Sequence, residues 1–124
     1  MWRSKHLRSS GVAAYALSGH RLVTPSRDGL VYADLTDLDH LHAPLWLTLG
    51  AAVAGAQVPL LIHGETDEPS WSWVTGPLYL GAGGRLTQTV PTAPDALFAA
   101  PVGAATAPTR AFLHRQPSIR LHHP

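Results

Sequence analysis

At 124 residues and 13.2 kDa the chain has the length of one domain, and with 45% hydrophobic residues it can bury a core. Only 14% of the residues are charged and the net charge is +1, which excludes a disordered acidic or basic chain. Eleven Gly and eleven Pro argue against a helical bundle, and the absence of Cys excludes disulfides, thiolate metal sites and a cysteine nucleophile.

Residues 1–10 read as a short basic arm, holding Trp2, Arg3, Lys5 and Arg8 and ending at Gly11. From residue 11 to 124, short apolar runs closed by Gly, Pro or Asp recur at intervals typical of an all-β domain. The first hairpin pairs His20–Thr24 with Leu30–Ala33 across Ser26-Arg27-Asp28-Gly29, where glycine takes positive φ without a Cβ clash. Asp34 to His42 is polar and reads as a loop or short helical turn. Ala43 to Ile62 is uncharged and long enough to be weighed as a membrane span. Its centre, however, is built of Gly and Ala, it contains Pro59, and no Lys or Arg flanks it. It is therefore expected to form two strands, Leu45–Leu49 and Gln57–Ile62, joined by a small-residue turn.

Trp71–Val74 and Leu78–Leu80 are the next apolar runs, divided by Gly76-Pro77. A second hairpin joins Leu78–Leu80 to Arg85–Val90 through Gly81-Ala82-Gly83-Gly84. Further strands are expected at Ala96–Ala100, Arg110–His114 and Ile119–His122, with Pro91, Pro94, Pro101, Pro108 and Pro117 between them, where no ladder N–H is required. The expected fold is all-β: a single compact antiparallel β-barrel or sandwich with a short N-terminal arm.

The charges are sorted. Residues 1–27 carry Arg3, Lys5, Arg8, Arg21 and Arg27 and no acid, whereas residues 28–68 carry Asp28, Asp34, Asp37, Asp39, Glu65, Asp67 and Glu68 and no Lys or Arg. Opposite patches of this kind suit docking between neighbouring copies or onto a larger surface, while clustering on a solvated face is the plain alternative. One Lys and no basic stripe argue against nucleic acid as a partner.

Tests for chemistry return little. Among the eight His, His40 and His42 are two apart and Asp39 and His63 are conceivable companions, yet a zinc site needs three or four converging ligands. No Gly-x-Ser-x-Gly elbow is present. Glu65, Asp67 and Glu68 crowd one turn rather than flanking a bond, and Gly81-Ala82-Gly83-Gly84 lacks the Lys and helix of a phosphate loop. No enzymatic activity, catalytic residue, metal or cofactor is expected. The Trp71-Ser72-Trp73 alternation would put both indoles on one side of a strand, either in the core or at a subunit interface.

In order along the chain, Leu17-Ser18-Gly19-His20-Arg21-Leu22-Val23, Asp28-Gly29-Leu30-Val31-Tyr32-Ala33-Asp34 and Ala51-Ala52-Val53-Ala54-Gly55-Ala56-Gln57-Val58 are followed by Gly64-Glu65 and Trp71-Ser72-Trp73. Gly76-Pro77-Leu78-Tyr79-Leu80-Gly81, Gly84-Arg85-Leu86-Thr87-Gln88-Thr89-Val90-Pro91 and Arg110–His114 complete the series. In this order the chain resembles the capsid decoration (cement, or head-stabilising) proteins of tailed bacteriophages. Leu45–Leu49 departs from the pattern in lacking a leading glycine. The resemblance implies a non-catalytic virion protein that binds the outside of the major capsid protein shell as a homo-oligomer, most often a trimer, and spans no membrane. It would assemble in the host cytoplasm and reside on the capsid surface. Related segments occur in phage tail, baseplate and fibre proteins, the alternative assignment. Candidate capsid or subunit contacts are Trp2, Arg3, Lys5, Arg8, Trp71 and Trp73.

Overall fold

The computed structural model describes residues 7–121, and they form an all-β domain. In chain order the strands are β1 (Leu7–Val12), β2 (Leu22–Ser26), β3 (Gly29–Tyr32), β4 (Trp46–Thr48), β5 (Gln57–Asp67), β6 (Gly76–Leu80), β7 (Leu86–Thr87), β8 (Phe98–Ala99), β9 (Pro101–Ala107), β10 (Arg110–Leu113) and β11 (Ile119–Arg120). The main sheet runs β3-β2-β4-β5-β10-β9-β6-β7, with β1 added on β5. All its strand pairs are antiparallel, and β8 and β11 form a separate two-stranded ladder. No helix among the described residues is long and apolar enough to cross a membrane.

Most expected strands are present. The β2–β3 hairpin turns through Arg27 and Asp28, with Ser26 paired to Gly29 and Gly29 at φ 124°. A Cβ on Gly29 would lie 2.7 Å from the Val12 carbonyl oxygen. The uncharged stretch folds as β4 and the first half of β5, with Leu47 opposite Leu61 and Thr48 opposite Leu60. Asp34 to His42 is a loop with one 3-10 turn at Leu38–His40, which Asp37 caps by accepting from the Asp39 backbone N–H.

Four expectations are corrected. Residues 7–10, assigned to the arm, form β1 against β5; the rest of the expected arm, residues 1–6, lies outside the described residues. Trp71–Val74 is irregular rather than a strand: the Trp71 N–H donates to the Glu68 carbonyl and the Trp73 N–H to the Pro108 carbonyl. The return strand expected at Arg85–Val90 shrinks to Leu86–Thr87, because Gln88 turns its side-chain amide to both backbone polar groups of Val74. Pro101 does not separate strands but opens β9, opposite Tyr79.

The sheet curls into a half-barrel around a core of Leu22, Leu47, Leu61, Leu78, Leu80, Phe98, Val102 and Leu113, to which Leu35, Leu45 and Ala96 also belong. A second cluster lies on the other face of the first strands, where Ala13 and Leu17 cover Val23, Leu30, Val58 and Leu60. Each such buried Leu or Phe contributes about 1.5–3 kcal/mol by leaving water.

The two ends of the curled sheet meet in a single antiparallel bridge, Arg21 to Arg85. Gly84 permits this approach: at φ 79°, a Cβ would stand 2.6 Å from the Leu22 carbonyl oxygen and 3.1 Å from the Tyr32 ring. Replacing Gly84 by Ala is expected to lower stability by about 1–3 kcal/mol through strain and overpacking, read as a lower urea midpoint with an unchanged slope.

Candidate functional site

The seam where the sheet ends meet carries a cleft of about 390 Å³, lined by His20, Arg21, Glu68, Ser70, Trp71 and Arg85. The part of its wall formed by residues 19–21 is set by one buried residue, Thr48. The Thr48 hydroxyl accepts from the Arg21 N–H at 2.9 Å and donates to the Ser18 carbonyl at 2.7 Å. The Thr48 carbonyl accepts from the His20 N–H at 2.7 Å, and its own N–H donates to the Arg21 carbonyl at 2.9 Å. Four bonds thus fix residues 18–21 and hold His20 at φ 56°, a left-handed conformation that histidine adopts more readily than most side chains.

From this position the His20 ring meets the Trp71 ring edge-on at 5.1 Å, and its Nδ1 lies 3.5 Å from a Glu68 carboxylate oxygen. The other Glu68 oxygen accepts from the Ser70 N–H at 3.0 Å. The Ser70 backbone N–H and then its side chain hold the Glu68 carboxyl below the usual glutamate range, with the charge of His20 adding to them. Arg21 lies over the Tyr32 ring at 5.4 Å and donates to the Gly83 carbonyl at 3.1 Å, tying the seam from the side chain as well.

The structure brings Trp71 and Trp73 together, with ring centroids 5.5 Å apart, even though no strand aligns them. Both are half-buried against the barrel core, and the Trp73 Nε1 is buried without a hydrogen-bond partner among the described residues. Arg8 sits elsewhere, exposed on β1 opposite Leu61. Trp2, Arg3 and Lys5 lie outside the described residues. The residues that sequence reasoning passed over are Thr48 and His20, whereas Glu68 was weighed there only as a glycoside-type carboxylate. A lone Thr in the apolar run Leu45–Leu49 was the available signal for the first; its partners at residues 18–21 lie far away in the sequence and left none.

The histidines weighed as metal ligands are scattered. His40 accepts from the Asp34 N–H at 2.9 Å through Nδ1, whereas His63 packs on Phe112 at 5.2 Å and on His114 at 5.3 Å. Among the described residues no group of three or more His, Asp or Glu is placed to hold a metal ion. The chain matches no protein-family model, no curated protein and no solved structure.

Trp71→Ala is expected to cost about 2 kcal/mol, below the full-burial value of about 3–5 kcal/mol because the indole is only half-buried, at every protein concentration tested by urea denaturation. For Glu68, the lowered carboxyl value fixes the sign of the pH effect. Its contribution to stability is complete above the ordinary glutamate value and is lost as pH falls through the lower native one. A carbon-detected NMR titration should find Glu68 still ionised where a free glutamate is half protonated, and Ser70→Pro should move it back towards the free value.

Proposed function

We propose that the chain is a virion structural protein of a tailed bacteriophage, a capsid decoration protein that binds the outside of the major capsid protein shell as a homo-oligomer and stabilises the head. The observation that carries this reading is that the resembling segments fall in order on the strands and turns of one barrel. Leu17–Val23 runs into β2, Asp28–Asp34 holds β3, Ala51–Val58 leads into β5, Gly76–Gly81 contains β6, and Arg110–His114 contains β10. The exposed strand β1, with Arg8 on it, follows directly on Trp2, Arg3 and Lys5 in the sequence. Chain and shell would meet through this basic segment, repeated over an oligomer, so that individually modest contacts sum by avidity. Trp71 and Trp73 are the second contact region, because neither indole is fully covered by its own domain.

Co-sedimentation of the purified chain with expanded shells of the major capsid protein from the phage that carries it tests the reading. Saturable binding by an oligomer is the expected outcome. Replacing Trp2, Arg3, Lys5 and Arg8 together by Ala should weaken binding at least about tenfold, or about 1.4 kcal/mol, without changing the folded signal. A stable oligomer that ignores shells but co-purifies with tails, baseplates or fibres would assign the chain there instead.

A further inference from the structure

The last irregular segment before β11 holds a cation that the shell-binding reading does not use. Arg115 is half-buried, and burial lowers its pKa from the ordinary guanidinium value. Its guanidinium donates to the Leu41 carbonyl at 3.3 Å, to the Ser118 hydroxyl at 2.9 Å and to the Gln116 carbonyl. All three partners are neutral, and among the described residues no carboxylate pairs with it. A guanidinium carries five N–H donors, so two remain after these three bonds. Arg115 also lines a cleft of about 360 Å³, together with His42, Pro44, Gln116 and Ser118.

We propose that Arg115 anchors a binding site for a small oxyanion, a phosphate or carboxylate group, in the cleft between residues 42–44 and 115–118. Three features support it together. A partly desolvated charge without a counter-ion among the described residues is unfavourable, and an anion relieves that cost. The three protein acceptors hold the guanidinium in one orientation, so a remaining N–H on Nε or Nη1 can meet an oxyanion with little further loss of side-chain freedom. Finally, His42 and Ser118 line the same cleft and supply further donor groups beside it. The Arg115→Leu41 bond also ties the segment after β10 to the end of the 3-10 turn, so an anion bound here would brace two parts of the chain that are 74 residues apart.

The test uses the full chain. Sodium phosphate and sodium acetate are titrated separately against sodium chloride at matched ionic strength while the thermal midpoint is followed. A saturable rise with phosphate or with acetate, absent in Arg115→Gln, is expected, and the salt that acts distinguishes a tetrahedral from a planar ligand. No rise with either salt, or the same rise in Arg115→Gln, overturns the proposal, since a general solute effect on the folded state would act on both proteins alike. Should Arg115→Gln fail to fold, the wild-type protein still decides. Phosphate or acetate must shift the backbone amide resonances of Gln116 and Ser118 saturably, and shifts confined to other residues, or none, overturn the site.

Discussion

Strand β5 has to satisfy more neighbours than any simple strand can. It takes β1 along residues 57–63, β4 at Leu60 and Leu61, and β10 along residues 64–67. One face of its first half is buried, with Val58 and Leu60 in the second cluster, while on the other face Gln57 and Pro59 are exposed and only Leu61 enters the barrel core. A regular strand would keep those faces to its end. Instead, the register slips where Leu7 stands opposite His63 and Arg8 opposite Leu61, leaving one extra residue on β5. After this bulge the alternation reverses. Gly64 and Thr66 lie opposite the core residues Leu113 and Ala111, and His63, Glu65 and Phe112 share the outer face. The bulge thereby lets one strand lie between two apolar clusters at one end and wall a single core at the other.

The seam of the half-barrel depends on a second local device. Once β5 is placed, β4 is fixed against it, and Thr48 on β4 fixes residues 18–21 through four hydrogen bonds. That segment leads into β2, and Arg21 makes the one bridge to the far end of the sheet. The Ser18 N–H donates to the Tyr32 hydroxyl, and the Tyr32 N–H donates to the Tyr15 hydroxyl, so the same segment is held from both sides. The cleft beside Trp71 is a product of this seam. Its Gly19–Arg21 wall follows the backbone path held by Thr48, which places a left-handed histidine where a turn alone would favour glycine.

What was legible in the sequence follows from these constraints. Hairpins with their own turn chemistry were readable, because Asp28-Gly29 and Gly81–Gly84 fix register locally. β1 was not, since Leu-Arg-Ser-Ser-Gly-Val is largely exposed and its strand character comes from the edge of β5. β9 was missed for a related reason: Pro-Val-Gly-Ala-Ala-Thr-Ala has small side chains, and Gly103 is required because the Phe112 carbonyl occupies the space of a Cβ. The indole pair erred in the opposite direction. Trp71-Ser72-Trp73 has the alternation of a strand, but two Trp side chains reach one core from an irregular backbone whose N–H groups are satisfied by Glu68 and Pro108. Long-range partners decide all three cases, and period-2 patterns carry no record of them.

Charge sorting along the chain has a different meaning in three dimensions. The acidic block is largely engaged within the domain. Asp34 accepts from the Thr36 N–H and hydroxyl, Asp37 caps the 3-10 turn, Glu68 faces His20, and Glu65 and Asp67 lie 3.8 Å and 3.2 Å from the Arg110 guanidinium. These are exposed or half-exposed contacts worth little in stability, but they give most of the acidic block a partner within its own domain. The cations differ: among the described residues Arg8, Arg27 and Arg120 are exposed and have no carboxylate within 4 Å. In the proposed decoration role these exposed arginines would be the charged groups offered to the shell, and apolar side chains such as Leu7, Val12 and Ile119, exposed at 56%, 42% and 60%, the surface offered to a second copy. Such a division would make shell attachment sensitive to salt and self-association much less so, because screening acts on exposed charges and not on buried apolar area.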